Sequence, residues 1–175
     1  MSFNESKDTT LCKILKGRDI KDPYKKYIEN SIYIVPPNTL LAYQYVEGQN
    51  VPIQDQTVWI IDKYDKGYFF GKTYTAINGQ PSSQLNMSGS ITSAGDVYIT
   101  FFSLPNVSDS TVIKGIGKFV LTKNSGYFVM QMNSAENSMT GLSHWSYMIS
   151  VKPNDIWYQN LPSVGLSVPA FINSF

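Results

Sequence analysis

The side chains that could perform acid–base or metal chemistry are few in this chain. His144 is the single histidine and Cys12 the single cysteine. A multi-histidine metal centre or a Cys/His zinc site needs several such ligands, so neither can be assembled here. A histidine-dependent triad could use only His144, and the alternation of strand residues around it predicts an outward position. We therefore expect no catalytic residue, no metal and no cofactor.

The carboxylates show no spacing typical of an acid–base pair. Asp62 and Asp65 flank Tyr64, Asp96 opens a strand, and the other acids are assigned to solvated loops and turns. Two carboxylates that divide acid and base roles must be held at a fixed separation, and nothing in the sequence indicates such a pair. No phosphate-binding loop occurs either, since Lys114–Lys118 is interpreted as a strand with outward lysines.

Composition excludes several classes of protein. The 175 residues fit one domain, and charged residues make up 15% of them, against about 25% in an average soluble protein. The formal net charge is +1, so no overall field attracts nucleic acid or an anionic membrane. The lone cysteine excludes an intramolecular disulfide. No apolar run approaches the ~18 residues of a membrane helix, so we expect no nucleic-acid partner and no membrane span.

The first thirty residues are predicted to be helical or irregular. Met1–Thr10 is polar and lacks the apolar core of a signal peptide, which indicates a cytoplasmic protein or export without a classical signal peptide. A short helix is predicted at Thr9–Lys16, ended by a glycine. A second helical turn follows with Tyr24, Tyr27 and Ile28. We expect these pieces to cover an open end or side of the sheet.

Turn residues divide the rest of the chain into short strands. Asn78-Gly79 and other Xaa-Gly links are hairpin signals, because Gly and Asn adopt the positive φ of tight turns. Glu47–Asn50 and a loop holding Pro52 follow the second strand. The predicted strands are Ser31–Val35, Leu40–Val46, Thr57–Tyr64, Gly67–Ile77, Ser83–Thr92, Asp96–Phe102, Thr111–Leu121, Tyr127–Asn133 and Leu142–Val151.

Alternation along these strands assigns inward and outward positions. In the last strand, Ser146 and Met148 are assigned outward together with His144. The residues assigned inward there are Trp145, Tyr147, Ile149 and Val151. Glycines also fall on inward faces, at Gly89, Gly115 and Gly117. An inward glycine either lets the sheet coil sharply or leaves space for another group, so coiling and a cavity both remain open.

Eight or nine strands at spacings of about 8–14 residues, joined by short links, are typical of an antiparallel meander. Such a meander removes its exposed edges by closing on itself. We therefore predict an all-β fold, an antiparallel eight-stranded up-and-down barrel with a short N-terminal helical segment. The single domain 1–175 would comprise that segment at 1–30, the barrel at 31–151, and an apolar tail at 152–175 packed outside the sheet.

Two segments that combine a glycine, a strand, a turn and a strand show a family resemblance. Gly67–Tyr74 and Ser88–Val97 resemble phrases of the calycin group, which comprises lipocalins, avidins and fatty-acid-binding proteins. The resemblance spans Leu40–Val151 and is one of topology, since the lipocalin Gly-x-Trp opening is absent. It implies a calycin-like barrel that binds a ligand. Arg18 precedes the barrel, so the arginine clamp of the fatty-acid carriers is missing from the lumen.

The aromatic side chains suggest the function. We expect a non-enzymatic protein that holds a small, largely apolar or aromatic ligand in the barrel cavity. The predicted ligand contacts are Trp59, Tyr68, Phe70, Tyr74, Phe119, Trp145 and Tyr147. Alternatively these rings fill the core, and the protein is an interaction module, as a homodimer or a host-directed factor. A third alternative is a barrel isomerase or lyase that uses His144, a tyrosine or an aspartate inside a pocket.

Overall fold

The computed structural model of the protein describes residues 22–37, 41–103, 111–135 and 140–175. Within these ranges the chain forms ten strands and three short helices. The strands are β1 (Ser31–Ile34), β2 (Leu41–Val46), β3 (Gln49–Ile53), β4 (Asp55–Asp65), β5 (Tyr68–Ile77), β6 (Gln80–Ile91), β7 (Asp96–Phe102), β8 (Val112–Leu121), β9 (Gly126–Ala135) and β10 (Thr140–Val151). The helices are α1 (Lys25–Ile28), α2 (Ile156–Gln159) and α3 (Val168–Ile172). The predicted helix Thr9–Lys16 lies outside the described residues.

Eight of the strands close into a barrel. The order is β1-β4-β5-β6-β7-β8-β9-β10, and β10 pairs with β1 to complete the circle. Every pairing is antiparallel, and Ile34 of β1 has both Val58 and Ile149 as register partners. The predicted eight-stranded up-and-down barrel is confirmed. Closure leaves these strands without the free edges that would pair with other chains.

The hairpin of β2 and β3 extends the wall beyond the barrel and was not predicted. β2 pairs with the first half of β10, and β3 pairs with β2 as the edge of the sheet. Glu47 and Gly48 both have positive φ, as a two-residue hairpin turn requires. The prediction of a loop around Pro52 is therefore wrong. Proline is tolerated there because an edge strand has a side on which no donor is needed.

Aromatic rings fill the end of the barrel that α1 covers. Phe128 lies at their centre, with its ring 4.8 Å from Tyr33, 5.4 Å from Trp59 and 4.6 Å from Phe119. Tyr24, next to α1, packs its ring edge-on against Phe119 and donates its hydroxyl to the Ser93 carbonyl at 3.1 Å. The predicted covering of an open barrel end by the N-terminal segment is confirmed for the residues from Tyr24 onward.

The inward glycine Gly89 makes room for one of these rings. A Cβ atom at Gly89 would lie 2.2 Å from Cζ of Phe69, and Phe69 is fully buried. The space that the missing side chain leaves is thus occupied by a ring of the same core. At Gly89, close packing therefore replaces both explanations considered from the sequence, which were sharp coiling of the sheet and a cavity.

The C-terminal tail lies on the outer surface of the barrel. Leu161, Val168 and Phe171 of the tail are buried against outward residues of β1, β4, β5 and β10. The Ser163 amide donates to the side-chain carbonyl of Gln56 at 3.0 Å, which ties the tail to β4. The prediction of an apolar tail packed outside the sheet is confirmed. Among the described residues, no helix has the length and apolarity needed to span a bilayer.

The predicted facing of β10 is wrong from Trp145 onward. Ser146 and Met148 are buried in the barrel, whereas Trp145 is 58% exposed on the outside. Ile149 and Val151 also face outward, where they pack against the tail. Because the tail covers the outer face at the end of β10, that face carries apolar residues. The alternation of residues along β10 could not by itself distinguish this outer face from the lining of the barrel.

Replacing Gly89 with alanine is expected to destabilise the protein by about 1–3 kcal/mol, the usual cost of overpacking a core. The new methyl group would overlap the buried ring of Phe69, which has no free space to move into. Urea unfolding followed by circular dichroism measures the change. Ser90→Ala, on the outward face of the same strand, is the control and should change stability little. Equal stability of the two variants would contradict the packing described here.

Candidate functional site at the barrel mouth

A cavity of about 180 Å³ opens at the barrel end opposite α1. We call it the mouth cavity. Its lining runs from the fully buried Trp59 to the exposed Ser82, so it connects the core to solvent. The lining residues are Asp55, Thr57, Trp59, Thr73, Thr75, Ile77, Ser82, Ser83, Leu85, Phe101, Thr111, Ile113 and Met132. The floor of the cavity is therefore the top of the aromatic core.

A chain of hydroxyl groups leads to a buried carboxylate on one wall. Alternation along β4 points Asp55 and Thr57 inward, and Thr57 is the register partner of Thr75 on β5. The Thr57 hydroxyl donates to Oδ1 of Asp55 at 2.6 Å, and Oγ1 of Thr75 lies 3.1 Å from Oγ1 of Thr57. A hydroxyl has one proton to donate, so Thr75 must be the donor in the second contact. The protons of both threonines are directed towards Asp55.

Trp59 forms the floor of the cavity and carries an unused hydrogen-bond donor. Its side chain is fully buried, and its ring lies 5.5 Å from Phe101 and 5.4 Å from Phe128. Nε1 of Trp59 has no hydrogen-bond partner among the described residues. The indole N–H can only donate, and leaving such a buried donor unpaired costs about 1–3 kcal/mol.

Comparison of the chain with protein-family models, with curated proteins and with solved structures found no match. The function is therefore inferred from the residues of the mouth cavity.

Of the seven aromatic residues predicted to contact a ligand, Trp59 lines the mouth cavity. Phe119 is buried in the aromatic core, and Tyr74 is buried beneath the tail, with its ring 5.5 Å from Phe175. Five of the seven therefore point away from the lumen, so the inward position that ligand contact requires is wrong for them: Tyr68, Phe70, Tyr74, Trp145 and Tyr147. A ligand-binding role for the seven stays a prediction.

The error on β5 has a physical cause. The inward positions of this strand hold Phe69, Thr73 and Thr75, while Tyr68 and Phe70 lie outside. Sequence reasoning placed the large rings of this strand in the interior. The barrel end at the mouth cavity is lined by hydroxyl groups. A preference for large rings inside therefore selects the wrong face of this strand.

The polar residues of the cavity were missed by the sequence analysis. Asp55 was among the acids assigned to loops or turns, yet it is 3% exposed. The available signal was the period-two series Asp55, Thr57 and Trp59, because an inward tryptophan places the two preceding odd positions on the same face. The matching series on β5 is Thr73 and Thr75.

The residue left open for catalysis, His144, has only its strand position described. It lies on β10 opposite Met132 and Ala42, and its side chain falls outside the described residues. Its predicted outward position stays a prediction. In the parts of the chain that the structure covers, no three His, Cys, Asp or Glu side chains are grouped as metal ligands.

Replacing Thr57 with valine is expected to destabilise the protein by about 2 kcal/mol, because the buried carboxylate of Asp55 loses a short hydrogen bond. Thr57→Ser keeps the hydroxyl group and should recover most of the loss. Thermal and urea unfolding measure both variants against Thr100→Val, a control on the outer face. If valine and serine at position 57 destabilise equally, the hydroxyl chain is not what stabilises this wall.

Proposed function

We propose that this chain is a non-enzymatic binding protein that holds one small, largely apolar or aromatic ligand in the mouth cavity. The observation that carries the proposal concerns Trp59, which lines the cavity and whose fully buried indole N–H has no partner among the described residues. Native proteins satisfy nearly all buried donors, so this donor calls for an acceptor beyond the described residues, which a ligand would supply.

The size of the cavity limits the ligand. Drug-sized molecules occupy pockets of about 300–1,000 Å³, whereas an apolar cavity of about 150 Å³ accepts benzene. At about 180 Å³, the mouth cavity suits a single aromatic ring with a short substituent. The lipid-sized ligands of wide barrels do not fit.

The chemistry of the walls supports a ligand with one polar end. Leu85, Phe101 and Met132 are buried and give the cavity an apolar side. Asp55 and the threonines of β4 and β5 give it a polar side. A ring would pack against the first side, with its polar substituent near the second and an acceptor atom near Trp59.

Binding is favoured over catalysis because the described lining of the cavity has one ionisable side chain. Asp55 is the only such residue among the described residues that line it. Acid–base enzymes typically set two titratable groups of separate roles at one site.

We also propose kinship with calycins, supported by the eight-stranded up-and-down barrel.

Three probes of one shape test binding by the full chain: phenylethanolamine, phenylethanediol and mandelate. Each has a phenyl ring and a hydroxyl acceptor, and they differ in a terminal ammonium, hydroxyl or carboxylate group. In proton–nitrogen NMR correlation spectra, we expect at least one probe at millimolar concentration to shift the indole signal of Trp59. The signals of Trp145 and Trp157, which lie outside the lumen, should stay in place.

A cavity-filling variant controls this experiment. Thr75→Phe puts a ring into the mouth cavity and should abolish the shift. Thr100→Phe makes the same change on the outer face and should leave it intact. The proposal is overturned if no probe moves the Trp59 signal, or if the movement persists in Thr75→Phe.

A second candidate function, self-association as a homodimer, is favoured by an exposed row of residues on the outer wall. The register connects Tyr68, Ser90, Tyr98, Ile116, Gln131 and Trp145 across strands β5 to β10. The four large apolar members of the row are each 57% to 60% exposed. Exposed apolar surface of this kind marks association sites, and the net charge of +1 gives two copies little electrostatic repulsion.

Sedimentation velocity at micromolar to millimolar concentration tests the homodimer. The wild-type chain should associate, and Tyr98→Lys, at the centre of the row, should be monomeric because a buried unpaired charge opposes association. Tyr43→Lys, on β2 and outside the row, is the control and should associate normally. A monomeric wild-type chain throughout the range would contradict this candidate.

A further inference from the structure

The exposed row on the outer wall has the same order of side-chain types from either end. From β5 to β10 the types are an aromatic ring, a polar group and a large apolar group, followed by a large apolar group, a polar group and an aromatic ring. The members in this order are Tyr68, Ser90, Tyr98, Ile116, Gln131 and Trp145. The centre of the row lies between β7 and β8. A surface with this symmetry can be complementary to a second copy of itself.

The charges beside the centre of the row follow the same symmetry. Asp96 on β7 and Lys118 on β8 are register partners, and each lies two residues along its strand from the row. The two side chains form an ion pair and are 39% and 56% exposed, respectively. The hydrogen bond from Lys118 keeps the pKa of the Asp96 carboxyl below its usual range, so both groups are charged at neutral pH. A rotation that exchanges β7 and β8 therefore exchanges an acid and a base.

The two central members of the row differ in length. Tyr98 and Ile116 are each 57% exposed, and they are register partners on the outer face. The tyrosine ring reaches further from the sheet than the isoleucine side chain. If β7 of one copy faces β8 of another, each long side chain packs over a short one. Large aromatic residues in such central positions typically contribute most of the binding energy of an interface.

We propose that two copies of this chain associate face to face about a two-fold axis that runs parallel to the strands and between β7 and β8. This inference rests on the homodimer, the second candidate function above, and specifies its geometry. The axis places Tyr98 against Ile116 of the second copy, and Asp96 against Lys118 of the second copy. Four charges of alternating sign then surround the axis, which is electrostatically complementary.

An axis along the row would give a different and less favourable contact. Each strand would then face itself, so Ser90 would meet Ser90 of the second copy. The residues on either side of the row would also meet, which places Lys118 against Lys114 of the second copy. Like charges brought together at an interface oppose association. The charge pattern thus favours the axis between β7 and β8.

Two charge variants on separate chains test this geometry. Ser90 and Gln131 are both partly exposed, and the axis places them against each other in the two copies. Ser90→Glu and Gln131→Lys each put an unpaired charge into the contact, so either chain alone should dimerise with a dissociation constant about tenfold or more above the wild-type value. An equimolar mixture should return to within about threefold of wild type, because the new carboxylate faces the new ammonium group. Sedimentation velocity measures all three samples.

A second mixture controls for simple attraction between opposite charges. Ser88→Lys adds the same charge as Gln131→Lys, but on β6, where the axis places it against Asn133 of the second copy. Mixed with the Ser90→Glu chain, it should leave dimerisation weak. Recovery in this mixture as well would overturn the proposed axis, because the position of the charge would not matter.

The outcomes separate the axis from the homodimer itself. Weakening by both single variants without recovery in their mixture would leave the homodimer standing and overturn the axis. A wild-type dimer that neither variant weakens would also overturn the axis, because the contact would lie on another surface. A wild-type chain that stays monomeric up to millimolar concentration would overturn both.

Discussion

The double pairing of β1 holds the barrel together. This strand has only four residues, yet it bonds to β4 on one side and to β10 on the other. Its outward residue Ile34 is fully buried and belongs to the cluster that receives the tail. The same four residues thus close the barrel and form part of the surface on which the tail packs. Without them β4 and β10 would be free edges, and the interior would lose its wall.

Closure divides the interior into two halves of opposite character. The half covered by α1 is packed with rings, to the point that an inward glycine accommodates the ring of Phe69. The described residues of the other half supply hydroxyl groups, one carboxylate and an open volume. Trp59 lies at the boundary, because its ring belongs to the packed half while it also lines the cavity.

Local signals in the sequence predicted the barrel well, since strands, short turns and alternation are short-range properties. Asn78 and Gly79 both have positive φ, as their hairpin signal implied. Features that depend on contacts with distant parts of the chain were harder to predict from the sequence. The facing of β10 was inverted because the tail makes its outer face apolar, and β3 was missed because Pro52 obscured an edge strand. Asp55 was overlooked because a carboxylate is rarely buried, and its stabilising contacts come from other residues of the fold.

The position of β1 in the chain has a consequence for biosynthesis. Most of the polypeptide separates Ile34 from its partner Ile149, so a growing chain on the ribosome cannot complete the barrel until β10 has emerged. During that interval β1 and β4 can form their ladder, but the other side of β1 stays unpaired. The surface on which the tail packs is complete later still, because that surface includes Val151 at the end of β10. Closure of the barrel therefore comes late in synthesis, and until then the unpaired side of β1 exposes the nascent chain to aggregation and to chaperones.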